Sequence, residues 1–81
     1  MKPIQVPVGE IYVPVRLARE LDEAKVETVA DAFIENGKMT PVRVRHDGQR
    51  YVLVHGVHRL AACKALGEET ITAYLVQAIQ H

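Results

Sequence analysis

The period at which apolar residues recur changes several times along this chain, and each change marks an element. From Pro3 to Pro14 apolar and polar residues alternate, as in Ile4-Gln5-Val6 and Ile11-Tyr12-Val13, but three prolines interrupt them. Proline donates no backbone N–H, so this stretch is predicted to be an edge strand or an extended arm rather than a central strand. The period then lengthens: Val26, Val29, Ala30, Phe33 and Ile34 fall at i, i+3, i+4, i+7 and i+8, which predicts a helix with one buried stripe. Asp22 is placed to cap that helix, Glu23 puts an acid at the positive end of its dipole, and Asn36-Gly37 ends it. Pro41-Val42-Arg43-Val44-Arg45 returns to period two, turning Val42 and Val44 inward and the arginines outward. His46-Asp47-Gly48-Gln49 holds the Asp-Gly pair of a hairpin turn and leads into the apolar run Tyr51-Val52-Leu53-Val54. Leu60 to Leu66 is predicted helical with Gly67 as its stop, and Thr70 to Val76 is a final β-branched and aromatic strand. The order β–(β)–α–β–β–α–β predicts an α+β fold, a small mixed β-sheet with two main helices packed on one face.

Composition narrows the classes that this pattern leaves open. The 81 residues suit a single domain spanning residues 1–81, with 48% apolar and 25% charged residues, a globular balance rather than a disordered one. Ten basic residues offset ten acidic ones, whereas a stand-alone binder of duplex DNA usually carries a basic stripe or a high isoelectric point. The single cysteine excludes an intrachain disulfide and fits a reducing compartment. No apolar run nears the roughly 18 residues of a membrane-spanning helix, and no signal-peptide core is present at the N-terminus. A cytoplasmic protein without a membrane partner is expected.

The chemistry concentrates in His55-Gly56-Val57-His58-Arg59-Leu60, where a strand turns into a helix. Gly56 lets the backbone approach a ligand, and the first amides of the helix carry partial positive charge, a combination that binds anions and phosphate above all. Arg59 can hold a phosphate bidentately, and a cation at a helix start opposes the dipole and so needs a reason to be there. Its bland alternative is a surface pair with Glu68 or Glu69, worth at most about 1 kcal/mol. His58 is the candidate catalytic group, a neutral donor or general acid–base, with a purely structural hydrogen bond to backbone as the alternative. His46, His55 and His58 together invite a zinc site, but His46 lies at the far end of the hairpin from His55 and no acid or thiolate is fixed nearby, so no metal site is assigned. Cys63, on an apolar helical segment, reads as core packing rather than as a reactive thiol.

With these segments placed, the chain resembles the ParB/sulfiredoxin superfamily over nearly its whole length. The ParB-like part runs from Ile11-Tyr12-Val13-Pro14 through Val29–Gly37 to Pro41-Val42-Arg43-Val44. Gly56-x-His58-Arg59-Leu60-Ala61-Ala62 and Glu69-Thr70-Ile71-x-Ala73-x-Leu75-Val76 look equally like sulfiredoxin. The resemblance implies that nucleotide phosphates sit at Gly56, Val57, His58 and Arg59. It also implies that Lys25 and Thr28 on the preceding helix face the nucleotide, whereas Ala32 departs from the hydroxyl expected there. Lys38 and Thr40, in the loop after that helix, have the chemistry for phosphate or base contacts. The cofactor implied is a nucleoside triphosphate, ATP or CTP, with Mg2+, for which Glu23, Asp31 and Glu35 are the carboxylates available on the first helix.

Two departures from the family pattern restrict the chemistry. Val57 stands where sulfiredoxin has its nucleophilic cysteine, so reduction of cysteine sulfinic acid is not expected. Val57 and His58 also replace the acidic residue and arginine of chromosome-partitioning ParB, and these 81 residues hold no helix-turn-helix, so partition-complex assembly by this chain alone is not expected. The resemblance thus implies a nucleotide-binding domain, with phosphoryl transfer or nucleotide-gated association with a partner as its expected output and no clear catalytic base. The rival is a non-catalytic DNA-associated module using Arg43, Arg45 and Arg50, with the arm at residues 1–14 free to pair between copies in a homodimer.

Overall fold

Five strands form one mixed sheet in a computed structural model that describes residues 2–76; Met1 and residues 77–81 of the expected single domain lie outside the described residues. They are β1 (Ile4–Pro7), β2 (Ile11–Tyr12), β3 (Val42–His46), β4 (Tyr51–His55) and β5 (Thr70–Leu75), in the spatial order β1-β5-β3-β4-β2. Three helices accompany them: α1 (Val15–Ala18), α2 (Glu23–Asn36) and α3 (Val57–Ala65). The α+β architecture is the one the sequence pattern predicts.

The proline-bearing N-terminal arm supplies both edges of the sheet. β1 runs antiparallel to β5, pairing Val6 with Ile71, and β2 runs parallel to β4, pairing Ile11 with Tyr51. A 3-10 turn at Val8–Glu10 carries the chain from one edge to the other, held by Val8 N–H donating to Glu69 O at 3.0 Å. Edges are where a missing N–H costs least, which is why Pro3, Pro7 and Pro14 can occupy this arm. Pro14 then precedes α1, a single short helix that the hydrophobic pattern did not reveal because four residues are too few to show a period; Leu17 anchors it in the core.

α2 starts and stops where expected. Asp22 Oδ1 accepts from Ala24 N–H at 2.9 Å, and Gly37, with φ of 73°, closes the helix by donating to Phe33 O at 2.8 Å. Replacing Asp22 by alanine removes this cap and is expected to cost about 1 kcal/mol, read as a thermal melt several degrees lower. The apolar stripe of α2 behaves differently from its prediction. Val26 is buried, Val29, Ala30 and Phe33 are half-buried, and Ile34 is 67% exposed. The cause is layering: α3 lies against β3 and β5, α2 packs chiefly on α3, and one side of the stripe therefore stays open.

The core is formed by the inward residues of β3, β4 and β5 together with α3. Val42, Val44, Leu53, Leu60 and Ala73 are all at or below 1% exposure. The β3–β4 turn is organised by Asp47, whose Oδ1 accepts from the N–H groups of Gln49 and Arg50, both at 3.0 Å. These backbone donors, followed by Arg50, hold the Asp47 carboxyl below the usual carboxylate range. A carboxyl depressed in the folded state contributes stability above its unfolded pKa and loses it as pH falls through its folded one. Asp47→Asn is therefore expected to remove this contribution at neutral pH, lowering neutral stability towards the acid value and so flattening the acid limb of the stability–pH curve, while stability at the acid end stays nearly unchanged. At the other end of this hairpin the register slips by one, with Val44 opposite Leu53 but Arg43 opposite His55. Such a bulge re-aims the residues beside it. It falls one residue before the turn into α3.

Candidate functional site

Gly56 is the N-cap of α3 and sits at φ 111° and ψ 33°, a left-handed conformation that residues with a Cβ rarely adopt. A Cβ at this position would lie 2.6 Å from Val42 Cγ1 and 2.9 Å from Val42 Cβ. The glycine thus serves close packing of helix start on sheet as well as the turn. No side chain caps α3, in contrast to α2. The helical ladder begins with Leu60 N–H donating to Gly56 O at 2.9 Å, so the amides of Val57, His58 and Arg59 have no acceptor inside the helix.

A cavity of about 560 Å³ opens over these amides. Its far wall is the open side of the α2 stripe, with Thr28, Val29, Ala32 and Phe33. Its rim is the loop between α2 and β3, with Lys38, Met39 and Thr40. Of the residues predicted from sequence, Thr28, Lys38, Thr40, Gly56, Val57, His58 and Arg59 all line this one cavity. Lys25 does not; it is exposed on α2 one turn before Thr28. Val57 reaches the cavity from the core, its side chain 8% exposed, so that position offers a backbone amide and no nucleophile.

Arg59 makes no pair with Glu68 or Glu69. Its Nη1 donates to Thr40 O at 3.1 Å and to Pro41 O at 2.8 Å, and its Nη2 lies 2.9 Å from His55 Nδ1. The guanidinium therefore staples the loop before β3 to the start of α3, and among the described residues its Nε–H and one Nη2–H are unused. Burial, then the charge of Arg43, pushes its pKa down, and a guanidinium remains charged regardless. His58 Nε2 accepts from Asp22 N–H at 3.1 Å, tying the cap of α2 to α3. A ring nitrogen that accepts from an amide is unprotonated, so the proton of neutral His58 is on Nδ1. This is the backbone-bonded reading of His58, and any proton transfer from this ring would run through Nδ1.

Glu20 is the cavity-lining carboxylate, and sequence reasoning missed it. Glu23, Asp31 and Glu35, the acids it offered, do not line the cavity. Glu20 follows the short helix α1, which left no periodic signal, so nothing marked this residue. His55 as the partner of Arg59 was more visible, since the two are four residues apart. Among the described residues no group of three or more His, Cys, Asp or Glu stands together as a metal site, and His46 Nδ1 instead accepts from Gly48 N–H at 3.1 Å.

The remaining candidates lie away from the cavity. Arg43 and Arg45 alternate with the buried Val42 and Val44 and occupy the opposite sheet face. Arg50 is tied to Asp47 at 3.3 Å and stacks 3.9 Å above the Tyr12 ring. Cys63 is buried, with Sγ 3.9 Å from Met39 Sδ, and burial followed by Glu68 pushes its thiol pKa up. Alkylation of the native protein by iodoacetamide at neutral pH is expected to be far slower than that of the denatured chain, measured by mass shift over time. No helix among the described residues is long and apolar enough to cross a membrane.

The sequence profile of the ParB N-terminal domain family matches residues 3–81. No curated protein matches the chain significantly. Sulfiredoxin from Arabidopsis thaliana superposes with a TM-score of 0.84 at 26% identity, over 96% of this chain and 88% of that one. The C-terminally truncated chromosome-partitioning protein ParB from Caulobacter crescentus, complexed with CTP-gamma-S, gives a TM-score of 0.80 at 20% identity, over 99% of this chain and 47% of that one. A mutant free serine kinase in complex with ADP gives 0.82 at 15% identity, over 94% and 31%. Likeness to the last two is likeness of fold, and this chain spans less than half of either.

Proposed function

This chain belongs to the ParB N-terminal domain family, and we propose that it is a nucleotide-binding domain whose phosphates rest on the amino end of α3 at Gly56–Arg59. One observation carries the reading: the uncapped start of α3, Val57 to Arg59, lines a cavity of about 560 Å³ that also gathers Thr28, Lys38 and Thr40. That volume is within the usual range for small-molecule sites, roughly 300–1,000 Å³. The CTP analogue in the similar ParB structure and the ADP in the similar kinase support the same ligand class.

In this reading the amides and the dipole of α3 take a phosphate, and the free N–H groups of Arg59 and the ammonium of Lys38 neutralise its charge. Thr28 and Thr40 contribute hydroxyls, while Val29, Ala32 and Phe33 offer an apolar wall to the base. Lys25, one turn from Thr28, adds long-range attraction rather than contact. ATP and CTP are both accommodated by these groups. A magnesium ion bound with the nucleotide would supply charge neutralisation, and Glu20 is the carboxylate on the cavity wall that fits its need for one or two acids beside phosphate oxygens. Val57 provides no nucleophile for sulfinic acid chemistry. Positioning and charge neutralisation are present, as phosphoryl transfer or nucleotide-gated association with a partner requires.

The test is a thermal-shift series with ATP, ADP, CTP and GTP plus magnesium on wild type and Lys38→Ala. Ligand at about 100 times its dissociation constant stabilises by ~2.7 kcal/mol, several degrees for a domain this small. At least one nucleotide is expected to give that shift, reduced in Lys38→Ala. Absence of a shift with every nucleotide would remove the reading.

A further inference from the structure

His55 is not required by the turn it occupies. The strand-to-helix junction is made by Gly56, and among the described residues the hydrogen bond of the His55 ring is the one to Arg59. A guanidinium has no acceptor, so in the 2.9 Å contact between Arg59 Nη2 and His55 Nδ1 the imidazole must accept. His55 is therefore neutral there and carries its proton on Nε2. It lines the same cavity as the uncapped amides.

The Arg59 bonds to Thr40 O and Pro41 O both leave from Nη1. Those two bonds set the guanidinium plane but hold it at one end only, leaving the Nη2 side free to rock. The third bond, from Nη2, pins that other side. No carboxylate among the described residues pairs with Arg59, while Arg43 is close enough to press on its charge. An acidic residue in place of His55 would orient Arg59 and cancel its charge at once. A neutral imidazole orients it and leaves the charge whole for an anion.

We propose that His55 is the positioning residue of the phosphate site, fixing the Arg59 guanidinium through the lone pair on Nδ1 so that its remaining N–H groups stay ordered for a phosphate. This rests on the nucleotide-binding reading for its ligand and on the hydrogen bond alone for the positioning.

Three variants separate acceptor geometry from space filling. Asparagine places an oxygen near the Nδ1 position, glutamine fills more of the volume but places its oxygen near Nε2, and alanine removes the acceptor. The apo readout is the Arg59 guanidinium in 15N NMR, where an ordered group gives distinct, slowly exchanging Nη signals. The ligand readout is calorimetric titration with ADP and magnesium. His55→Asn is expected to keep both within twofold of wild type. His55→Ala and His55→Gln are expected to average the Arg59 signals and weaken ADP by about tenfold, the usual worth of one hydrogen bond to a charged group. Wild-type order of Arg59 in His55→Ala, or glutamine matching wild type while asparagine fails, overturns the proposal. A wild type that binds none of ADP, ATP, CTP and GTP, with Arg59 nevertheless disordered in His55→Ala, overturns the nucleotide reading and supports the positioning itself.

Discussion

Gly56→Ala is expected to destabilise this domain by about 2–5 kcal/mol, the sum of a left-handed conformation forced on a residue with a Cβ and a core contact that is too short. The new methyl would lie 2.6 Å from Val42 Cγ1, and Val42 has no exposed surface into which it can retreat. Val42 belongs to β3, which is paired on both sides, so relief by backbone movement would disturb β4 and β5 together. A domain of 81 residues has a total stability of only about 4–12 kcal/mol. At roughly 4–8 °C per kcal/mol, the melting temperature should fall by about 8 °C or more. Gly37→Ala is the control, because Gly37 is also left-handed, at φ 73°, yet a Cβ there meets nothing within 4 Å. It should cost about 1–2 kcal/mol, the conformational part alone. Calorimetric melts of both variants decide the matter: equal losses would show that the contact with Val42 contributes nothing.

Arg59→Ala is expected to act twice. Without the guanidinium, the Thr40 and Pro41 carbonyls lose a charged donor and His55 loses its partner, a cost of about 1.5–3 kcal/mol for this half-buried group. The loop carrying Lys38 and Thr40 then loses its tie to α3, so the second effect falls on the ligand. The nucleotide-dependent shift, about 2.7 kcal/mol in wild type at roughly 100 times its dissociation constant, should disappear. Arg59→Lys keeps the charge but not the fork, and an ammonium cannot reach two carbonyls and an imidazole in one plane. It should recover part of the intrinsic stability and little of the nucleotide shift. Melts with and without nucleotide separate the two effects. An alanine variant with a wild-type nucleotide shift would show that the amides of α3 suffice and that Arg59 serves only the fold.

What could be known from the sequence alone is what short-range physics decides. Asp22, Gly37 and the Asp47-Gly48 turn act on amides within four residues, so their roles were legible as local signatures. Val42 and Val44 were legible because period two puts them on one face and a core needs such a face. The run from Gly56 to Arg59 identified a helix start with anion chemistry for the same local reason. Tertiary structure decided the rest, because it depends on pairings between distant segments. β1 and β2 could have lain side by side, and instead they take opposite edges of the sheet, with β1 bonded to a strand more than sixty residues away. The α2 stripe reads as buried along its length, but stacking on α3 rather than on the sheet leaves part of it open, and that opening is the cavity wall. Glu20 reaches the cavity from the turn after α1, a helix too short to have a period. The partners of Arg59 at Thr40 and Pro41 are backbone carbonyls, which every residue possesses and no residue type announces. The sequence marked Gly56–Arg59 as a helix start with residues suited to an anion; the packing of distant elements decided which side chains surround it and how Arg59 is held there.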